Sequence, residues 1–223
     1  MNYVVLDLEM CRIPKALMNE DYKWSRETIQ IGAVLLNEDY NVVKKFSTFV
    51  RPEYGRLDPF IINLTGITKE NVYTAPTYRE AMEKFLRWLP EGEVSFVAWS
   101  RADRQQIEKE SELKGLDERA MNRLMGAWID CQELFDEKMN VSYQYNLEEA
   151  LIASDVCTEG RAHDGLVDAY NTALLYAKMQ REDELVLNEY YKIAYSNEDN
   201  PYTKARKALN KQGLLGANVD LAG

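Results

Sequence analysis

The sequence predicts an α/β fold with a mixed five-stranded sheet flanked by helices. Hydrophobic periodicity indicates three strands first, then a helix, a strand, a helix, a short strand and further helices. Three consecutive strands predict an antiparallel meander, whereas strands that alternate with helices predict parallel pairing. Of the 223 residues, 46% are apolar, which is enough for the sizeable core of one domain.

The first three strands are apolar runs near the start of the chain. They cover residues 1–10, 28–36 and 42–50. Residues 11–26 contain a proline and many charges, so we predict a long solvated loop there, with Glu27 counted among its acids. The antiparallel part of the sheet is therefore expected to be complete early in the chain.

The later part of the chain alternates helices with two strands. We predict a turn-rich connection over 58–71, then a helix that is capped by Thr77 and stops at 90–92, and then a strand over 94–99. A charged helix over about 102–114 and a short strand over 127–130 follow. The last two predicted elements are a helix that is capped by Asn146 and ends near 154, and a helix over 164–181. The residues that follow are expected to be helical too.

Composition excludes several classes of protein. The net charge of −10 argues against wrapping along a duplex, because affinity for nucleic acid comes largely from phosphate neutralisation, but it leaves room for a small site that takes one strand end. Three widely spaced cysteines predict neither a disulfide framework nor a zinc site, so we expect a reduced, cytoplasmic setting. No apolar run approaches the roughly 20 residues that span a bilayer, and no secretory signal is expected.

Two carboxylates interrupt the first strand. Asp7 and Glu9 are two residues apart, so on a strand their side chains leave the same face. Burying an ionised carboxylate without a partner costs several kcal/mol, so such a face needs Lys, Arg or metal ions. The alternative is that both acids lie past the end of the strand in water, and spacing alone gives the two interpretations equal weight.

Three further residues complete a set of candidate site residues. Asp103 follows a strand and begins a helix, a place where sites of α/β folds gather, although aspartate is also common there as a helix cap. His163 is the only histidine, and Asp168 follows it by five residues. On an ideal helix this interval is about 140° more than one turn, so the two side chains would not share a helix face. We therefore predict His163 in a loop, Asp164 at a helix cap and Asp168 in the first turns. An ordinary surface histidine is the alternative.

Together these residues offer four carboxylates and one imidazole. Hard carboxylate oxygens suit Mg²⁺ or Mn²⁺. Two such ions about 3.5–4 Å apart can clamp the attacking and leaving oxygens of a phosphoryl displacement. A largely neutral imidazole can accept a proton from metal-bound water. The set therefore predicts a metal-dependent phosphodiesterase.

The order Asp7-x-Glu9, Asp103, then His163-x-x-x-x-Asp168 resembles the three motifs of the DEDDh 3′–5′ exonucleases, a ribonuclease-H-like family. The resemblance covers roughly residues 2–179 and is greatest to the branch of histone-mRNA and small-RNA 3′ exonucleases and bacterial sporulation-inhibitor-like proteins. It is carried as well by 27–34, Leu64-Thr65-Gly66-Ile67-Thr68, Trp99, Trp128-Ile129-Asp130 and 168–173.

The resemblance implies an exonuclease domain over 1–180. Residues 181–223 have no match in the family and are predicted from the sequence to form a C-terminal helical extension. The resemblance also implies that two Mg²⁺ or Mn²⁺ ions are held by Asp7, Glu9, Asp103 and Asp168, with His163 as general base. The substrate would be the 3′ end of single-stranded RNA or DNA, hydrolysed to nucleoside 5′-monophosphates. The residues that would contact the substrate are Leu8, Met10, Leu64, Thr65 and Trp99.

Some features depart from the family pattern and leave alternatives open. Many relatives have threonine or alanine directly after the glutamate, where this chain has Met10-Cys11-Arg12, so both RNA and DNA remain candidate substrates. One alternative is a nucleic-acid-binding or interaction module that has kept the fold and lost the chemistry. Another is a two-metal phosphohydrolase of nucleotides or very short oligonucleotides. The basic residues of the extension are interpreted as a solvated helix face, with contact to nucleic acid as the alternative: Lys204, Arg206, Lys207 and Lys211.

Overall fold

A computed structural model of the chain describes residues 1–18, 24–139, 144–185 and 188. Its five strands are β1 (Asn2–Arg12), β2 (Arg26–Leu36), β3 (Val42–Phe49), β4 (Val94–Ala98) and β5 (Ala127–Asp130). They form one sheet in the order β3-β2-β1-β4-β5. Strands β1, β2 and β3 pair antiparallel, and β4 pairs parallel with both β1 and β5. The predicted mixed sheet is confirmed.

The helices follow the order that the sequence predicts, with additions. They are α1 (Pro59–Thr65), α2 (Lys69–Tyr73), α3 (Tyr78–Trp88), α4 (Arg101–Leu113), α5 (Glu118–Leu124), α6 (Cys131–Lys138), α7 (Leu147–Ala153) and α8 (Gly165–Arg181), with one 3₁₀ turn at Lys15–Leu17. Predicted caps are present at Thr77, which accepts from the Glu80 amide, and at Asn146, which accepts from the Glu149 amide. No helix in the described part of the chain is long and apolar enough to cross a membrane.

Three of the sequence predictions for this part of the fold are wrong. The connection over 58–71 contains α1 and α2, whose seven and five residues are too few to show a helical hydrophobic period. The loop over 11–26 is shorter than predicted, because β1 continues through Arg12 and pairs with the start of β2. Glu27 is fully buried and belongs to β2, so its assignment to a solvated loop is also wrong. Helices α5 and α6 were not predicted.

The sheet separates two apolar layers. Val5 of β1 faces a layer that contains residues of α6, α7 and α8. The alternate residues Val4, Leu6 and Leu8 face a layer built from α3, α4 and α5. Burying one large apolar side chain stabilises a fold by about 1.5–3 kcal/mol, so these two layers carry enough stabilisation to support costly polar groups at one end of the sheet.

Strand β1 is longer than its neighbour β4, and this difference opens the sheet at one end. The two strands pair only from Asn2 with Val94 to Val5 with Val97. Beyond Val5, no strand of the described residues pairs with the edge of β1 that faces β4, and Arg12 at the end of β1 forms an isolated bridge with Arg56. Helix α4 begins just after β4, at this opening. The gap lies at the carboxyl ends of the parallel strands, where sites of open α/β sheets form.

The predicted C-terminal extension, with its four basic residues, lies almost entirely outside the described residues. The division into 1–180 and 181–223 stays a prediction, although α8 ends at Arg181 as the sequence indicates.

Candidate active site

Asp7 and Glu9 lie in the part of β1 that extends beyond β4. Their neighbours on the other side are Gly32 and Gln30 of β2, and the register shifts directly after Glu9. Glu9 is only 8% exposed, and Asp7 is half-buried. Both acids are therefore within the strand, and the alternative that they lie past its end in water is wrong.

Asp103 reaches β1 from the first turn of α4. Ser100 is the N-cap of this helix and accepts a hydrogen bond from the Ala102 amide, so capping does not occupy the Asp103 carboxylate. Instead, the Leu8 amide donates to Oδ1 of Asp103 at 3.1 Å. Leu8 stands between the two strand acids, so this bond brings the third carboxylate beside them.

His163 and Asp168 are arranged as the five-residue spacing predicts. Asp164 is the N-cap of α8, and its Oδ1 accepts from the amides of Leu166 and Val167 at 3.0 and 3.2 Å. His163 precedes the helix with a φ of 61°, in the left-handed region that non-glycine residues rarely adopt. Its backbone amide donates to Oδ2 of Asp168 at 2.8 Å. The fourth carboxylate therefore also fixes the loop that carries the imidazole.

These elements bring two of the predicted metal ligands and the predicted base into one cluster. One ligand atom each of Glu9, His163 and Asp168 lie within 4.8 Å of one another. Mg²⁺ binds oxygen at about 2.0–2.1 Å, so two ligands of one ion lie at most about 4.2 Å apart, which is close to the separation in this cluster. The same cluster leaves the imidazole next to the carboxylates, where a ring nitrogen can reach either a metal ion or water held by one.

Burial raises the pKa of all four carboxyl groups, and neighbouring site carboxylates raise the pKa of Asp7 and Glu9 further. Burial, together with the charges of Asp103, Glu9 and Asp168, holds the pKa of Asp7 well above its usual range. Burial and the charges of Asp168 and Asp103 raise the pKa of Glu9 to about 8. Burial raises the pKa of Asp103 to about 7, although the Leu8 amide opposes the change. Burial also raises the pKa of Asp168, against the lowering effect of the His163 amide.

The site lacks an internal counter-charge. Within the described ranges, no lysine or arginine forms an ion pair with Asp7, Glu9, Asp103 or Asp168. Four converging carboxylates with raised pKa values and hard oxygen donors therefore fit divalent cations such as Mg²⁺ or Mn²⁺.

The proposed substrate contacts on β1 differ in accessibility. The Leu8 side chain is buried in the layer of α3, α4 and α5, on the opposite face from Asp7 and Glu9, so only its backbone faces the site. Met10 is half-buried against the same layer. Trp99 is half-buried, with its ring centroid 6.2 Å from that of Phe135. All three contacts stay predictions.

The other two proposed contacts end α1. Leu64 is half-buried. Thr65 is buried, and its hydroxyl donates to the Ile61 carbonyl at 2.9 Å and accepts from the Ile67 amide at 3.0 Å. Thr65 therefore shapes the turn around Gly66, and its contact with substrate stays a prediction like that of Leu64.

One arginine that sequence reasoning missed joins α1 to the histidine loop. The Arg161 guanidinium donates to the carbonyls of Asn63 and Leu64. Gly66, the C-cap of α1 with a φ of 74°, leaves the space that the guanidinium occupies, because a Cβ there would overlap Nη1 of Arg161. No local pattern in the sequence indicates this contact between distant segments.

The fold and this carboxylate cluster define an α/β protein of the ribonuclease-H-like type. Residues 4–176 match the family model RNase_T, described as exonuclease, so the chain belongs to this exonuclease family. It is 30% identical over 189 residues to ERI1 exoribonuclease 2 of Danio rerio, covering 70% of this chain and 32% of that protein. It is 28% identical over 183 residues to the 3′-5′ exonuclease Snipper of Drosophila melanogaster, covering 71% and 63%. The chain thus spans less than two thirds of these relatives.

A solved structure has the same fold. The nuclease domain of 3′hExo, a DEDDh family member bound to rAMP, is 25% identical, with a TM-score of 0.68. The alignment covers 84% of this chain and 96% of that domain. The family resemblance seen in the sequence is confirmed.

Proposed function

We propose that this protein is a divalent-metal-dependent 3′–5′ exonuclease that removes nucleoside 5′-monophosphates from a single-stranded RNA or DNA end in a reducing, cytoplasmic setting. The observation that carries the proposal is the convergence of four carboxylates and the only histidine, with no lysine or arginine paired to the acids among the described residues. Relatives named exonuclease or exoribonuclease support the reaction class.

The site residues have two roles in this reaction, metal binding and proton transfer. Asp7, Glu9, Asp103 and Asp168 would hold two Mg²⁺ or Mn²⁺ ions. When bound, these ions supply a polarised water and neutralise charge that develops on the phosphate. His163 accepts the water proton at a ring nitrogen, because a neutral imidazole can do so near physiological pH. The hydrogen bond from its amide to Asp168 keeps the loop over the site.

The charge of the chain favours a short contact with the substrate. A net charge of −10 gives little long-range attraction for a polyanion. Binding energy must then come from the terminal nucleotides at the site, which suits an enzyme that works from an end.

Digestion of labelled oligonucleotides tests the proposal. With Mn²⁺ present, 5′-labelled single-stranded RNA or DNA should shorten progressively from the 3′ end, and chelation should stop the reaction. Asp7→Ala should abolish shortening while the far-ultraviolet circular dichroism spectrum stays native. Asp39→Ala, which removes an exposed acid in the turn between β2 and β3, is the matched control and should retain full activity.

Other outcomes identify the alternatives. Mn²⁺ binding without cleavage of any strand, or no binding in calorimetry, would reject the exonuclease and favour a degenerate binding module. Cleavage of a dinucleotide but not of longer strands would favour a phosphohydrolase of very short substrates. Undiminished digestion by Asp7→Ala would reject the proposed metal site.

A further inference from the structure

The two residues of β2 that stand opposite the strand acids both contact the start of α8. Gln30 pairs in register with Glu9, and Gly32 pairs with Asp7. Neither is charged or a candidate metal ligand. Through them, the strand that borders Asp7 and Glu9 also touches the helix that carries Asp168.

Gln30 binds the first turn of α8 through its side-chain amide. It is only 2% exposed. Its Oε1 accepts from the Gly165 amide at 3.0 Å, and its Nε2 lies 3.4 Å from Oδ1 of Asp164, the helix cap. The Gly165 amide belongs to the first turn, where amides have no partner within the helix, so Gln30 satisfies a buried donor that would otherwise be costly.

Gly32 lets the helix backbone lie directly on the sheet. A Cβ at Gly32 would overlap the Gly165 carbonyl group and the Leu166 nitrogen. A Cβ at Gly165 would in turn lie 3.2 Å from the Asp7 carbonyl oxygen and 3.3 Å from the Gly32 nitrogen. Gly32 therefore requires glycine for this approach, and a side chain at Gly165 would need its neighbours to move by a few tenths of an ångström. The close contact fixes the distance between β1 and α8.

We infer that Gln30 and Gly32 are positioning residues that set the distance between the metal ligands of β1 and those of α8. Asp168 lies one turn after Gly165, so a shift of the helix start moves its carboxylate and the His163 loop together. The inference rests on the proposed metal-dependent function. Groups that orient metal ligands typically contribute about 10- to 100-fold to metal affinity or activity.

Variants of Gln30 separate positioning from simple stabilisation. Gln30→Met keeps the length of the side chain and removes both hydrogen-bonding groups, so Mn²⁺ affinity and kcat should each fall by about 10- to 100-fold, with KM for the oligonucleotide little changed. Gln30→Glu keeps the acceptor for the Gly165 amide but sets a carboxylate oxygen where the amide nitrogen faces Oδ1 of Asp164, so it should recover only part of the loss. A purely structural role would lower the unfolding midpoint and leave metal affinity and kcat of the folded protein unchanged.

Gly32→Ala tests the close approach independently. Its Cβ should displace α8 and weaken Mn²⁺ binding as Gln30→Met does. Gly126→Ala is the matched control, because the nearest atom to its Cβ would be the Arg123 carbonyl oxygen at 3.8 Å, and it should behave like the wild type. If Gly32→Ala does not fold, the Gln30 series still decides the question.

The controls distinguish failure of the inference from failure of the proposed function. A wild-type protein that neither binds Mn²⁺ nor cleaves a strand would overturn the function on which the inference rests. A wild-type protein that does both, with Gln30→Met within twofold of it in metal affinity and kcat, would overturn the inference alone. Asp168→Asn provides the reference for loss of the α8 ligand.

Discussion

Among the described residues, two groups of buried and half-buried carboxylates can be compared, and they are neutralised in different ways. The site group consists of Asp7, Glu9, Asp103 and Asp168. The second, which we call the lysine-bridged group, consists of Glu27, Glu110 and Lys114. Asp103 and Glu110 are two turns apart on one side of α4, so a single helix contributes to both groups.

In the lysine-bridged group every charge has an opposite charge or donors nearby. The Lys114 ammonium contacts Glu27 and lies 3.8 Å from Glu110. Glu27 also accepts from the amides of Tyr54 and Gly55. Glu110 accepts from the Thr28 amide and hydroxyl at 2.9 and 2.7 Å, and burial still raises its pKa to about 7.

In the site group the carboxylates receive little of this support. The hydrogen bonds described above are donated by two backbone amides, those of Leu8 and His163. The two groups therefore differ in their counter-charge. The buried acids of the lysine-bridged group, which have no proposed role in the reaction, lie beside a lysine. At the site the described residues provide none, so the charge is left for a divalent cation to neutralise.

The largest effect on stability is expected from breaking the lysine-bridged group. Lys114→Met removes the cation and leaves Glu27 and Glu110 buried, and removal of one partner of a buried ion pair costs about 3–5 kcal/mol. The Lys114 side chain is only 6% exposed, so water cannot replace the ammonium. Urea unfolding at neutral pH should show this loss as a lower midpoint with an unchanged slope.

Two comparison variants sharpen this result. Lys109→Met removes an exposed partner of Glu112 on the same helix and should leave the midpoint unchanged. Asp7→Asn removes a carboxyl group whose ionisation is opposed by burial and by the neighbouring acids, so it should keep or raise the stability of the metal-free protein. A loss in Asp7→Asn as large as that in Lys114→Met would show that the two groups do not differ in the way proposed.

A second, smaller effect is expected from pH and metal. The pKa is raised to about 8 for Glu9 and to about 7 for Asp103. The folded protein therefore keeps protons that the unfolded chain releases near pH 4. The contribution of these two groups to the free energy of unfolding is fully present below about pH 4, decreases as pH rises and is lost above about 7 to 8. Mg²⁺ opposes this fall, so it should raise the melting temperature more at about pH 8 than at about pH 5.

The lysine-bridged group supplies the control for this measurement. The pKa of Glu110 is raised to about 7, so this group also lowers the free energy of unfolding as pH rises over the same range. Mg²⁺ bound at the site should not change the contribution of Glu110. Asp7→Asn should therefore reduce the effect of Mg²⁺ and leave part of the pH dependence. An equal rise in melting temperature at both pH values would contradict the assignment of the metal to the site group.

The site could be predicted from the sequence to the extent that its signals are local. Carboxylates inside an apolar run indicated a special face on β1. The five-residue interval from His163 to Asp168 required a loop followed by a helix, and that arrangement is confirmed. Each inference needed only a few neighbouring residues and the geometry of one element.

The features that were missed depend on contacts between distant segments. Glu27 resembles a loop acid in the sequence, because the lysine that neutralises it is 87 residues away. The role of Gln30 becomes visible only when α8 crosses β2, and that crossing depends on the contact between Gly32 and Gly165. Short helices such as α2 are set by their caps, and five residues give no hydrophobic period.

The smallest effect is expected at the exposed end of the lysine-bridged group. Glu53 lies 2.8 Å from the Lys114 ammonium, but its side chain is 48% exposed, so water can replace it. Glu53→Gln should therefore cost less than about 1 kcal/mol, as exposed ion pairs do. The urea midpoint of the variant should stay close to that of the wild type. The difference between the two midpoints should become smaller when salt is added, since screening weakens the exposed contact first. A loss comparable to that in Lys114→Met would mean that the charge of Lys114 is balanced mainly at the surface, and the contrast between the two buried groups would disappear.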